Sequence, residues 1–183
     1  NALASVASAI SLGFKLDVIK SGIETAPVVP GRLENVPCDR GFNVVVDYAH
    51  TPHALETVLH ALKNLVKGRI LLVFGCGGDR DKEKRSIMGK IADEKSDIFW
   101  LTNDNPRSEA PLSIIDDIKA GIKSGRSFHI QTNRHKAIAE ALSEAKGDDL
   151  VLIAGKGHEK YQIIKDTIIP LDDREVVKKI LSE

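Results

Sequence analysis

What most constrains this chain is a rhythm that starts at Arg32: short apolar runs, each closed by a polar loop and followed by a helical pattern. Residues 43–47 are β-branched and apolar, and Leu55, Val58, Leu59, Leu62, Leu65 and Val66 then recur at the spacing of one helix face. Residues 69–74, 98–101 and 150–154 are further buried-strand runs, and 128–131 is a shorter one. Helices are expected over 84–95, from Leu112 through Ile122, over 134–146, and from the acidic cap at Asp172 to near Glu183. Residues 161–164 and 167–169 read as a hairpin around Lys165-Asp166. Strands alternating with helices imply an α/β, Rossmann-like fold: a mostly parallel sheet with helices on both faces.

Right-handed crossovers place every strand C-terminal loop on one edge of such a sheet, and open α/β sheets bind ligands there. The loops at 47–52, 75–82, 104–107 and 155–159 should therefore converge. The third carries a carboxylate, a carboxamide and a guanidinium within four residues. Asp104 suits an ammonium, Asn105 either end of a zwitterion, and Arg107 a carboxylate gripped by two N–H groups. The competing reading is an Asn-Pro turn, with Ser108 capping the next helix. Gly75, Gly77 and Gly78 let backbone N–H groups approach an anion, or simply make a tight turn, and Arg80 beside them suits a carboxylate or phosphate. Gly155-Lys156-Gly157-His158-Glu159 superficially resembles a phosphate loop but lacks its first glycine and its Ser/Thr. Asp47 with His50 suits acid–base work or a turn cap, Cys76 reads as a small buried residue, and the charged run 80–85 as a solvated helix start.

Lys+Arg and Asp+Glu balance at 26 each and aromatics are 4%, which disfavours nucleic acid and acidic membranes as partners. Two distant cysteines without paired histidines argue against a metal site or a disulfide framework. No run is long and apolar enough to span a bilayer, and a cytoplasmic monomer is expected. Residues 1–10 are alanine-rich and helical with Gly13 as a stop, 17–25 suit a second helix, and 26–31 form a Pro/Gly linker. This places a boundary near residue 30: 1–30 as the tail of a preceding domain cut from a longer protein, 31–183 as the main domain.

Six ordered stretches then carry a resemblance along the whole chain: 1–4 (Asn-Ala-Leu-Ala), 31–34 (Gly-Arg-Leu-Glu), 46–52 (Val-Asp-Tyr-Ala-His-Thr-Pro), 74–85, 104–107 (Asp-Asn-Pro-Arg) and 154–162. Together they resemble the C-terminal domain of the Mur ligases, in the branch that adds meso-diaminopimelate to UDP-MurNAc-L-Ala-D-Glu. The resemblance implies that Asp104, Asn105, Pro106 and Arg107 are the meso-diaminopimelate recognition motif, with Arg80, Gly155 and Glu159 as further contacts. It implies ATP contacts at Asn1 (adenine) and at Arg32 and Asp47 (ribose side); His50 lies in the same motif with no role assigned, and His158 suits a general base or a plain loop histidine. The family's phosphate loop, Mg²⁺ ligands and carbamylated lysine belong to a central domain with no counterpart here, so the catalytic residues lie elsewhere. By the same resemblance ATP and Mg²⁺ serve the whole enzyme, and this chain alone should be inactive. Two alternatives stay open: a Mur or folylpolyglutamate-type domain with another acceptor, and a stand-alone amino-acid or nucleotide-binding module.

Overall fold

A computed structural model describes residues 2–123, 125 and 127–183. Helices α1 (Ala2–Ser11) and α2 (Leu16–Glu24) come first, and neither has a buried residue. Leu3, Leu12, Phe14, Leu16 and Val18 are all exposed.

The main body follows as β1 (Glu34–Val36), β2 (Asn43–Asp47), α3 (Pro52–Lys63), β3 (Ile70–Phe74), α4 (Glu83–Lys95) and β4 (Ile98–Leu101). Next come α5 (Pro111–Lys119), β5 (Phe128–Ile130), α6 (Arg134–Glu144), β6 (Leu150–Ala154), the hairpin β7 (Tyr161–Ile164) with β8 (Thr167–Pro170), and α7 (Asp173–Ser182). The six-stranded sheet runs β1-β2-β6-β3-β4-β5, parallel throughout except for the antiparallel edge strand β1. Strand β6, last to join, lies between β2 and β3, and every residue of β3 and β6 is buried. That is why these runs are continuously apolar rather than alternating.

Side chains alternate across the sheet with period two and feed two cores. Ile70, Leu72, Phe74, Phe99 and Leu152 pack under α3, α4 and α5, through Leu59, Met88 and Ile115 among others. Leu71, Val73, Trp100, Val151 and Ile153 pack under α6 and α7, through Ile138 and Val177. Three expectations shift. The edge strand β1 was not anticipated, having only one buried residue, Val36. Helix α3 stops at Lys63, leaving Leu65 exposed. Ile122 falls beyond the end of α5 but still packs on the core.

Candidate functional site

Four strand ends deliver the site. Loops after β2, β3, β4 and β6 meet at one edge around a cleft of about 520 Å³, whose lining includes Arg80, Asp104, Asn105, Arg107, Gly155 and Glu159. Of the seven residues expected to hold an amino acid, only Pro106 is not on its wall. Pro106 acts by packing: a Cβ on Gly78 would collide with its carbonyl oxygen, so the two loops touch backbone to backbone.

The loops after β3 and β4 are bolted together. Gly78 N–H donates to the Asn105 carbonyl at 2.9 Å, and the Arg107 guanidinium donates back to the Gly78 carbonyl at 2.8 Å. Ser108 hydroxyl and backbone N–H both donate to Asp79, at 2.7 and 3.2 Å. Ser108 is thus a loop clamp rather than a helix cap; α5 is capped by Ala110 and starts at Pro111. Arg107 has a left-handed backbone (φ 51°), fixed by two hydrogen bonds to the hairpin: its N–H to Ile163 O at 3.1 Å, and Lys165 N–H to its carbonyl at 2.7 Å. The hairpin therefore aims the arginine.

The charged run at 80–85 departs from the solvated helix start expected of it. Arg80 is exposed, but Arg85 is fully buried. Arg85 grips both oxygens of Glu109 at 2.9 and 2.8 Å, reaches Asp117 at 2.8 Å and donates to the Gly77 carbonyl at 3.1 Å. The paired guanidinium and the Asp79 N–H hold the Glu109 carboxyl down at about 2. Arg85 so ties the glycine loop to α5 from inside. Its spacing in sequence carried no sign of this.

Three cations (Arg80, Lys84, Arg107) and three carboxylates (Asp81, Asp104, Glu159) line the cleft. The Asp104 carboxylate makes no side-chain hydrogen bond among the described residues, and beyond its N–H bonds to the Gly78 and Asn105 carbonyls, nor does the Arg107 guanidinium. Both face the cleft with hydrogen-bonding capacity to spare. The Cys76 thiol lines the cleft too, 3.7 Å from the Met88 sulfur, and burial pushes its pKa up to about 12, so it is no nucleophile.

Of the residues expected beside a nucleotide, Arg32 lies against Tyr48 and Asp47 directly precedes it. The Arg32 guanidinium, exposed, covers the Tyr48 ring at 4.9 Å. Tyr48 in turn reaches Glu159 through its hydroxyl at 3.5 Å, and burial, then Glu159 and Asp104, raise its pKa. Asp47 is buried and already occupied: one oxygen accepts from Leu33 N–H at 2.7 Å and the other from Ala49 N–H at 2.8 Å. It does not line the cleft, and its visible task is to pin the end of β2. Asn1 lies outside the described residues. His50 and His158 are exposed, their rings 4.5 and 5.1 Å from that of Tyr48.

Residue-type patterns missed Lys156, which lies beneath the cleft at 0% exposure. A lysine between glycines reads as a phosphate or solvent ligand. This one is turned inward.

Comparison with known proteins identifies relatives of this chain. The family described as "Mur ligase, glutamate ligase domain" matches residues 31–157. A protein of Clostridium tetani named UDP-N-acetylmuramoyl-L-alanyl-D-glutamate–2,6-diaminopimelate ligase is 49% identical over 185 residues, covering all of this chain and 38% of its own length. A solved structure carrying the same ligase name aligns with a TM-score of 0.80 at 40% identity, over 98% of this chain and 37% of that one. Escherichia coli FolC, solved in complex with ADP and without folate substrate, aligns with a TM-score of 0.65 at 25% identity, over 86% of this chain and 36% of its own. This chain thus spans about 38% of the length of the curated relative.

Proposed function

This chain belongs to the Mur ligase family through its C-terminal, glutamate ligase domain, and from that premise we propose that it binds the acceptor amino acid, meso-diaminopimelate, for an ATP-dependent amide ligase acting on UDP-MurNAc-L-Ala-D-Glu in the cytoplasm. Residues 1–30 are read as the tail of the preceding ATP-binding domain and its linker, and 31–183 as the acceptor domain. That α1 and α2 bury nothing supports this division.

The observation that carries the acceptor reading is the pairing of an uncommitted carboxylate with an incompletely committed guanidinium, Asp104 and Arg107, on the wall of one cleft. Diaminopimelate has a carboxylate and an ammonium at each end, so its distal end satisfies both. Lysine brings no distal carboxylate. Leaving a desolvated guanidinium without its partner costs about 2–5 kcal/mol, which supports selection of the longer zwitterion.

In the parent enzyme, the γ-phosphoryl group of ATP passes to a carboxylate of the nucleotide-peptide, releasing ADP. The acceptor amine then attacks the acyl carbon, the C–O bond to phosphate breaks, and the nitrogen loses a proton as the amide forms. This chain's part is to hold that amine in line. Phosphoryl transfer needs phosphate and metal clamps. By the family resemblance, the Mg²⁺ is held by the central domain of the parent. On the nucleotide side, Arg32 is the proposed contact, and Asp47 retains lone pairs for a ribose hydroxyl beyond its two backbone bonds.

The test is backbone-amide NMR of the isotope-labelled chain. Added meso-diaminopimelate should shift the amides of Asp104, Asn105, Arg107, Gly155 and Glu159 saturably. Equal shifts with L-glutamate or L-lysine would point to a different acceptor.

A further inference from the structure

Lys156 sits between Gly155 and Gly157, yet its side chain is closed to solvent. Its ammonium lies 3.1 Å from Asn105 Oδ1 and 3.0 Å from Glu159 Oε2. Asn105 Nδ2 completes the triangle by donating to the same Glu159 oxygen at 3.1 Å, while its Oδ1 also accepts from Ile163 N–H at 2.9 Å. The Tyr161 ring covers the ammonium at 5.7 Å. A buried ammonium is costly to desolvate, and an apolar side chain of similar length would fill the same space without that cost. What the lysine adds is charge and direction.

The consequence is an asymmetry between two carboxylates of the cleft. Glu159 is met from behind by a protein cation. Asp104 has no such direct ion pair among the described residues, the buried Arg134 acting on it only from a distance, and its Oδ2 lies so near Gly155 that a Cβ there would stand 2.9 Å away.

We propose that Lys156 is a positioning residue of the acceptor site: it locks Asn105 and Glu159 into one unit and neutralises Glu159 internally, leaving Asp104 as the carboxylate that meets the acceptor's ammonium. The second half rests on the acceptor reading above; the first does not. The electrostatics agree. Burial pushes the Glu159 carboxyl up, but the hydrogen bond and charge of Lys156, then Asn105 and His158, outweigh it and hold the group below its ordinary range. Tyr48, from the loop after β2, and Arg134, on α6, also act on Glu159, and both act on Asp104 as well.

The experiment is a ¹³C NMR titration of the Glu159 carboxyl in the wild-type chain, Lys156→Met and Lys156→Arg. The carboxyl should titrate at least one pH unit higher in Lys156→Met and stay low in Lys156→Arg; an unmoved titration in Lys156→Met overturns the proposal. Should Lys156→Met fail to fold, Lys156→Met/Glu159→Gln removes both charges and should melt near wild type. A double variant as damaged as the single one would make Lys156 mere packing and overturn the proposal too. For the division of labour, Asp104→Asn should lose at least tenfold more affinity for meso-diaminopimelate than Glu159→Gln, and equal losses contradict it. A wild-type chain that binds no diaminopimelate counts against the acceptor reading, and the carboxyl titration still decides the role of Lys156.

Discussion

Arg134 and Asp173 meet through two hydrogen bonds of 2.8 Å, with both side chains at 0% exposure. The same guanidinium donates to the Ala154 carbonyl at 3.0 Å and the Asn103 carbonyl at 3.4 Å, so one ion pair fixes the ends of β6 and β4 where two of the cleft loops begin. Burial opposes the charge on Arg134, and Asp173 more than offsets it.

Removing one partner strands the other. Arg134→Met should cost about 3–5 kcal/mol in urea unfolding, because Asp173 is left as an uncompensated buried charge. Arg134→Met/Asp173→Leu should recover much of that loss, though not the two backbone carbonyls. If the double variant is no more stable than the single one, the pair does not hold the strand ends as described.

Acid should loosen the site from the α5 side. The Glu109 carboxyl titrates at about 2 when folded, because Arg85 and the Asp79 N–H hold it ionised, against roughly 4.3 in an unfolded chain. A depressed folded pKa stabilises fully above pH 5 or so, and that stabilisation drains away as pH falls through 4 towards 2. Melting of wild type and Glu109→Gln should therefore differ most at pH 7 and converge only as pH falls to about 2. Parallel curves would remove Glu109 from the acid response.

Much of this architecture was legible because it follows from burial. Strands β3 and β6 are covered on both faces, and their runs from Ile70 and Leu150 are apolar throughout. Edge strand β1 offers only Val36 to the core, too little to make a pattern. Within the site, the 104–107 loop was readable from residue types at a strand end. Arg85, Arg134 and Lys156 were not. Each looks like a surface charge, and its burial depends on partners that only the folded chain brings together, in the case of Arg134 a carboxylate 39 residues away.

Close backbone approach makes Gly78 a sensitive position. A methyl group there collides with the Pro106 carbonyl and must part the two loops, so Gly78→Ala should cost about 1–3 kcal/mol and weaken diaminopimelate binding with it. Gly22, in α2, has nothing within 4 Å of where a Cβ would stand, and Gly22→Ala should melt no lower than wild type. Thermal melts of both variants check this, and an undisturbed Gly78→Ala would refute the contact.

The acceptor reading stands or falls on one calorimetric titration of this chain with meso-diaminopimelate and, in parallel, L-lysine. Saturable binding of diaminopimelate is predicted, with lysine weaker by about 30-fold or more and the preference lost in Arg107→Ala. Lysine binding as tightly as diaminopimelate, or a preference that survives Arg107→Ala, would contradict it.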